Sequence, residues 1–418
     1  MTQGDARGTD LTTIEVASVG RVVLTDNPWE PYRLVDRDGR ELRSVSSFLR
    51  DLQAAGRPAS TQRSYGLALL RWFRFLWAVG VAWDRAGRGE ARDFSRWMQI
   101  SDKPRSRSRP GFGGAAVLAP AVNAVTRKRA PGPKYAPGTI LHSETVVRMF
   151  YDFHRDLGTG PMVNPFPLAR ERRAGRANIH HNPMDPFSNA QTGLYRPRVA
   201  SASPRSIPDE RFNELFTRLR SNRDRALIAF FVSTGARAAE LLGATVGDVD
   251  PGQQLITVIR KGSRALQQVP ASPDAFVWLR LYQADLDGLV PDGQDQPLWW
   301  TTRRPYRALT YPAAHRMFER VNAGLGSNWT LHDLRHTAAH RMARDPSMPL
   351  TDVQWVLGHA QLSTTQIYLN PMPAEVFANV AAFHARRAES PARPAEPANT
   401  NLRYSPETLN VLFRGDLT

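Results

Sequence analysis

Thr330-Leu331-His332-Asp333-Leu334-Arg335-His336-Thr337-Ala338-Ala339-His340-Arg341-Met342 is the stretch from which the fold of the last third of the chain is read. Leu334, Ala338 and Met342 recur at helical spacing, so the segment predicts a helix from Leu331 to Ala343 with one buried face. Thr330 and Asp333 have the spacing of a capping box, which sets the helix start. His332 then falls in the first turn, where free backbone N–H groups and the helix dipole favour an anion. Arg335 follows three residues on and shares that face, so both side chains can reach one phosphate. A solvated helix face would carry the same pair.

Four further segments flank this one in order. Arg237 follows Thr234-Gly235-Ala236, behind an apolar run from Leu227 to Val232, and Gly235 permits a sharp turn that presents the arginine. Glu240, three residues later, can hold that guanidinium in orientation. Lys261 stands in Lys261-Gly262-Ser263, a turn joining two alternating segments, Leu255–Ile259 and Ala265–Val269. His359 follows Gly358 at the expected end of a helix over Thr351–Leu357, and Tyr368 closes a short helix opened by Ser363. Read singly, Lys261 also fits an exposed turn residue and Tyr368 a core tyrosine.

Taken together, these residues suit the breaking of a phosphodiester bond without metal. Two arginines can clamp the nonbridging oxygens of one phosphate with planar forks of donors. A tyrosine hydroxyl can attack phosphorus and form a covalent intermediate. A lysine and a histidine can move the protons. Only four lysines occur among the 55 basic residues, and Lys261 is the one in the C-terminal half. A proton donor must be able to lose its proton, which arginine effectively cannot.

Composition sets the partner class. The 418 residues carry a net charge of +16, with 55 basic against 39 acidic side chains, which favours a polyanion. Nucleic acid fits better than a membrane surface, because no basic amphipathic helix stands out. The absence of cysteine excludes disulfides, thiolate metal sites and cysteine nucleophiles. The polar start, MTQGDARGTD, lacks a signal-peptide core, and the apolar run from Ala226 to Val232 is too short to span a bilayer. A soluble, cytoplasmic and nucleoid-associated bacterial protein is expected. No nucleotide loop or clustered carboxylate set is evident, so neither cofactor nor metal is expected. His180 and His181 have no third ligand nearby.

Along the chain, residues 1–43 read as a β-rich lead-in, with a turn at Arg37-Asp38-Gly39. Residues 44–163 read as a small helical domain. Its helices start at Val45 and Ser60 and cover Asp93–Ile100 and Ser143–Leu157, with a core stripe of Tyr65, Leu69, Trp72, Phe73 and Leu76. Arg63, Arg71 and Arg74 lie on its other faces. Within it, residues 101–137 are rich in Pro, Gly, Ser and basic residues. That composition reads either as a disordered insertion or as an arm that orders along a phosphate backbone through Lys103, Arg105, Arg107, Arg127, Lys128, Arg129 and Lys134. Residues 164–206 read as a linker, 207–387 as a second domain and 388–418 as a tail.

TGARAAELL, RKGSRALQQVP, LHDLRHTAAHRM and LGHAQLSTTQIYL, in this order and spacing, resemble the signature segments of the tyrosine recombinase (phage integrase) family. The resemblance covers about 207–387, and the preceding helical domain is similar to the family's core-binding domain. One departure is Leu369-Asn370-Pro371, where relatives often carry a threonine and histidine. The resemblance implies a mainly α fold with a small β-hairpin sheet, built as a DNA clamp of an all-α core-binding domain and an α+β catalytic domain. It implies that Tyr368 attacks the scissile phosphate to give a 3′-phosphotyrosyl link, while Arg237 and Arg335 stabilise the phosphoryl oxygens. Lys261 would protonate the leaving 5′-oxygen, His332 would act as base and His359 would bond the phosphate. Implied partners are double-stranded DNA and three further copies in a tetramer on paired sites, with a monomer in free solution. The resemblance also implies accessory DNA-bending or directionality factors as partners. A mobile-element recombinase is the expectation, given the lead-in and insertion. The alternatives are a dimer resolvase, a type IB topoisomerase-like enzyme and a non-catalytic DNA-binding protein.

Overall fold

The computed structural model describes Leu11 and residues 14–104, 122–130, 132–168, 193–197, 205–369 and 373–389. The chain forms two compact units, one of residues 1–122 with 128–201 and one of residues 123–127 with 202–418. The expected class, mainly α with small sheets, is what the structure shows.

In the first unit, β1 (Arg21–Leu24) and β2 (Tyr32–Val35) form an antiparallel pair with Arg21 opposite Val35. The 37–39 turn adds only an isolated bridge from Val35 to Glu41. Helices α1 (Arg43–Ala54), α2 (Ala59–Val79), α3 (Arg88–Ile100) and α4 (Pro137–Asp156) follow. Both α3 and α4 begin five or six residues before the expected Asp93 and Ser143. Gly87 N–H is capped by Glu90 at 2.7 Å, and Pro137 sits in the first turn of α4, where its missing N–H costs nothing. The core is aromatic: Trp72, Phe75, Phe94, Phe150, Tyr151 and Phe166 are all buried. Each such ring contributes about 1.5–3 kcal/mol by leaving water. Trp72 Nε1 donates to the Tyr151 hydroxyl at 3.0 Å, which donates on to Trp83 O at 2.8 Å, so the polar tips are satisfied inside the core.

The second unit runs α5 (Asp209–Thr217), α6 (Asn222–Thr234) and α7 (Ala238–Leu242) into a three-stranded antiparallel sheet. β4 (Leu255–Ile259) pairs with β5 (Leu266–Pro270) as the sequence suggests. A two-residue β3 (Val249–Asp250), too short to show alternation, adds to the other edge of β4. Helices α8 (Pro273–Leu286), α9 (Tyr311–Ala323), α10 (Leu331–Arg344), α11 (Leu350–Leu357), α12 (Ser363–Gln366) and α13 (Pro373–Glu389) complete it. Residues 123–127, expected to belong to the basic insertion, are instead built into this unit. Asn123 Nδ2 donates to Gly326 O at 3.0 Å, Thr126 bonds Asn328, and Arg205 donates to Thr126 O at 3.0 Å. Residues 105–121, most of the linker and the tail lie outside the described residues.

Candidate active site

The capping box of α10 forms as its sequence requires. Thr330 accepts from Asp333 N–H, and Asp333 accepts from Thr330 N–H at 2.6 Å. Fixing that end sets the rotation of the helix, which turns Leu331, Leu334 and Ala338 into the core and leaves His332 exposed. Arg335 is 3% exposed, an unusual depth for a guanidinium. It is held there by main chain: one nitrogen donates to Gly235 O at 2.6 Å, the other to Leu357 O at 2.7 Å. These carbonyls close the C-terminal ends of α6 and α11, where the helix dipoles favour a cation. Burial, with Arg237 nearby, lowers the Arg335 pKa to about 10, so it stays charged at neutral pH.

Gly235 makes this approach possible. Its φ is +60°, and a Cβ there would stand 2.7 Å from a Leu357 methyl. Arg335 also donates to His359 Nε2 at 2.9 Å. Because that nitrogen accepts, the imidazole proton sits on Nδ1, which faces Thr365 Oγ1 at 2.9 Å. Burial and the neighbouring Arg335 push His359 down to about 4, consistent with a neutral ring.

Glu240 is the second node. Its carboxylate accepts from Arg237 N–H and Arg237 Nη1, each at 2.9 Å, from Arg260 Nη1 at 3.1 Å and from Lys261 N–H at 3.0 Å. Burial alone would raise its pKa, but these hydrogen bonds outweigh it and hold the carboxyl below its usual range. One carboxylate thus fixes the Arg237 side chain at the start of α7 and the backbone of the β4–β5 turn that carries Lys261. Arg260 adds a third attachment, donating to Gln267 at 2.6 Å and to Val356 O of α11.

Tyr368 is 4% exposed and packs with Ala339, Val353 and Leu357. Its ring stacks on His359 at 6.3 Å and 8° between planes, and its hydroxyl meets His336 Nδ1 at 2.9 Å. Burial raises its pKa, offset in part by Arg335 and Arg237. The His332 ring stands 4.3 Å from that of His336.

The structure therefore gathers Arg237, Glu240, Arg335, His359 and Tyr368 into one neighbourhood, with the Lys261 backbone tied to it and its side chain exposed. Three participants escaped the sequence reading: His336, Arg260 and Thr365. His336 had a legible signal, since it lies one turn beyond His332 and directly after Arg335. Arg260 had none in so arginine-rich a chain.

The basic residues of the first unit differ among themselves. Arg63 is exposed, as are Arg129 and Lys134, with Lys103 and Lys128 half-buried. Arg71 packs over the Tyr135 ring at 5.8 Å and bonds Ser143. Arg74 is engaged internally, donating to Val19 O at 2.6 Å and Gly20 O at 3.0 Å, so its guanidinium anchors the lead-in segment. Arg127, exposed with φ +55°, belongs to the second unit, and Arg105 and Arg107 lie outside the described residues.

Comparison with known proteins points one way. Residues 207–375 match the model of the phage integrase family. Tyrosine recombinase XerD of Pseudomonas putida is 32% identical over 165 residues, 39% of this chain and 55% of that protein. XerC of Chromobacterium violaceum is 30% identical over 186 residues, 43% of this chain and 60% of that protein. The chain thus spans little more than half the length of these two relatives. XerC of Salmonella typhi is 30% identical over 228 residues, 53% of this chain and 74% of that protein. The Tn1549 transposon integrase, solved with circular intermediate DNA, shares the fold at a TM-score of 0.51 and 15% identity, over 83% of this chain and 98% of that one. A lambda integrase dimer bound to a core site gives a TM-score of 0.51 at 13% identity, over 78% and 94%. Among the described residues, no helix is long and apolar enough to cross a membrane.

Proposed function

Given that the chain belongs to the phage integrase family of tyrosine recombinases, we propose that it cuts and rejoins double-stranded DNA at specific sites through a 3′-phosphotyrosyl intermediate. The observation that carries this reading is the placement of Tyr368: its hydroxyl is held by an imidazole, and its ring lies on a histidine bonded to a buried, charged Arg335. In the proposed reaction Tyr368 attacks the phosphorus, and Arg237 and Arg335 stabilise the charge that develops on the phosphoryl oxygens. Lys261, on its exposed turn, protonates the departing 5′-oxygen. His359 contributes a hydrogen bond to the phosphate once Nε2 is released from Arg335 and carries the ring proton, with Nδ1 then accepting from the Thr365 hydroxyl. The family pattern gives the role of base to His332. The bond energy is conserved in the covalent link, so the reaction requires neither nucleotide nor metal.

Exchange of strands between two sites needs four copies. The apolar stripe Val376, Phe377, Val380 and Phe383 on α13 is exposed, with Phe377 72% accessible, as a helix awaiting a neighbouring copy would be. The biological setting we favour is integration, excision or transposition of a mobile element. The likeness to XerC and XerD supports a second reading, dimer resolution. Repeats flanking the gene would separate the two.

The test is formation of a covalent adduct on nicked DNA duplexes in excess chelator, read on denaturing gels. Wild type is expected to form the adduct, and Tyr368→Phe to bind DNA without forming it. An adduct in Tyr368→Phe would place the nucleophile elsewhere. Binding without any adduct in wild type would favour a non-catalytic DNA-binding protein.

A further inference from the structure

We propose that His336, rather than His332, accepts the Tyr368 proton; the inference rests on the reading of Tyr368 as nucleophile. Among the described residues, His336 Nδ1 is the hydrogen-bond partner of the Tyr368 hydroxyl, at 2.9 Å, within the range for direct proton transfer. With Nδ1 accepting, the imidazole carries its proton on Nε2 and is poised as a base.

The neighbouring candidates are occupied or displaced. His359 lies parallel to the tyrosine ring with the centroids 6.3 Å apart, and both its nitrogens are engaged, by Arg335 and Thr365. Glu240 is committed to Arg237, Arg260 and Lys261, and Asp333 to the helix cap. His332 occupies the exposed first turn of α10 with its ring against that of His336. That position, at the positive end of the helix dipole, suits contact with the phosphate. Consecutive residues on a helix point about 100° apart. Arg335 therefore reaches Gly235, Leu357 and His359 while His336 reaches the Tyr368 hydroxyl, so α10 serves both sides of the proposed reaction.

The step balances as follows. The Tyr368 oxygen forms its bond to phosphorus as its O–H bond breaks, with the proton passing to His336 Nδ1 and the electron pair staying on oxygen. The P–O5′ bond breaks in the same displacement, and the 5′-oxygen leaves with the electron pair of that bond and takes a proton from Lys261. Rejoining reverses each transfer, with the imidazolium returning its proton to the tyrosine.

The test uses the full chain and a nicked duplex recovered by selecting a random-sequence duplex library for wild-type covalent adducts. His336→Asn places an amide oxygen near the Nδ1 position, so it keeps a hydrogen bond to the hydroxyl but cannot take a proton. It is expected to bind the duplex as wild type does and to form the adduct about a hundredfold more slowly. With 3,5-difluorotyrosine incorporated at position 368, whose phenol is far more acidic, the defect of His336→Asn should shrink to less than tenfold. His332→Asn should show the same defect in both backgrounds. A wild-type rate in His336→Asn, or a defect that difluorotyrosine leaves unchanged, would overturn the proposal, as would a His332→Asn defect that shrinks. In each of those cases a wild-type adduct lost in Tyr368→Phe would leave the proposed function standing. A selection that yields no wild-type adduct would overturn both.

Discussion

Arg335 and His359 share a hydrogen bond of 2.9 Å in which the guanidinium donates to Nε2, fixing the imidazole as neutral. Burial and that cation push His359 down to about 4, from an unfolded value near 6.5. Between these values the unfolded chain holds a proton that the folded one does not, so stability rises with pH across this window. As pH falls from about 6.5 to about 4, this histidine should remove about 1–2 kcal/mol, because solvent screens part of the shift on a half-exposed ring. Denaturant melts of wild type and His359→Asn check this: the stability of wild type relative to the variant should fall through that window and stay constant above it.

Lys261 gives a chemical prediction. Lys261→Ala should slow cleavage of an ordinary phosphodiester much more than cleavage of a substrate with sulfur at the 5′-bridging position, because a thiolate leaves without protonation. Rates on the two nicked substrates would be compared. Equal defects would mean that the lysine acts by charge or position alone.

Gly235 gives a stability prediction. Gly235→Ala combines a left-handed backbone with a Cβ 2.7 Å from Leu357, whereas Gly39, at φ +80°, has open space around it. Gly39→Ala should cost about 1 kcal/mol, from backbone strain. Gly235→Ala should cost about 2–4 kcal/mol, since overpacking adds to that strain. Thermal melts give the ordering. The adduct rate should fall with Gly235→Ala alone, because Gly235 O positions Arg335.

The exposed face of α13 gives a prediction about assembly. Truncation before Pro373 should leave binding to one DNA site largely intact and abolish pairing of two sites. Gel shifts with one-site and two-site DNA would show it. Normal pairing by the truncated protein would mean that the helix serves only its own unit.

Much of this was legible in the sequence, and the gaps have physical reasons. Capping and helical periodicity are local, so α10 and the glycine-terminated ends of α6 and α11 could be read from the chain. The starts of α3 and α4 could not, because their first turns carry glycine, with proline beside it in α4, and such residues read as loop. The six candidate residues could be named because the proposed chemistry restricts their types to arginine, lysine, histidine and tyrosine. The partner of the Tyr368 hydroxyl was not, since it depends on the rotation of α10 against a segment 32 residues away. The fate of Arg74 was equally hidden: a guanidinium satisfied by the carbonyls of Val19 and Gly20 looks, in sequence, like one reaching for phosphate.

The buried guanidinium of Arg335 is cradled by two main-chain oxygens, and this bears on how far the sequence can drift. A carbonyl is present whatever side chain its residue carries, so no substitution at position 357 deletes the acceptor there. What must persist is the shape that brings two helix ends within reach of one arginine. Selection on this pocket therefore acts on backbone geometry and on the two glycines that close the helices, Gly235 and Gly358, leaving the surrounding side chains freer to change. Someone rebuilding the pocket in another scaffold would begin by placing two helix termini, and choose the residues afterwards.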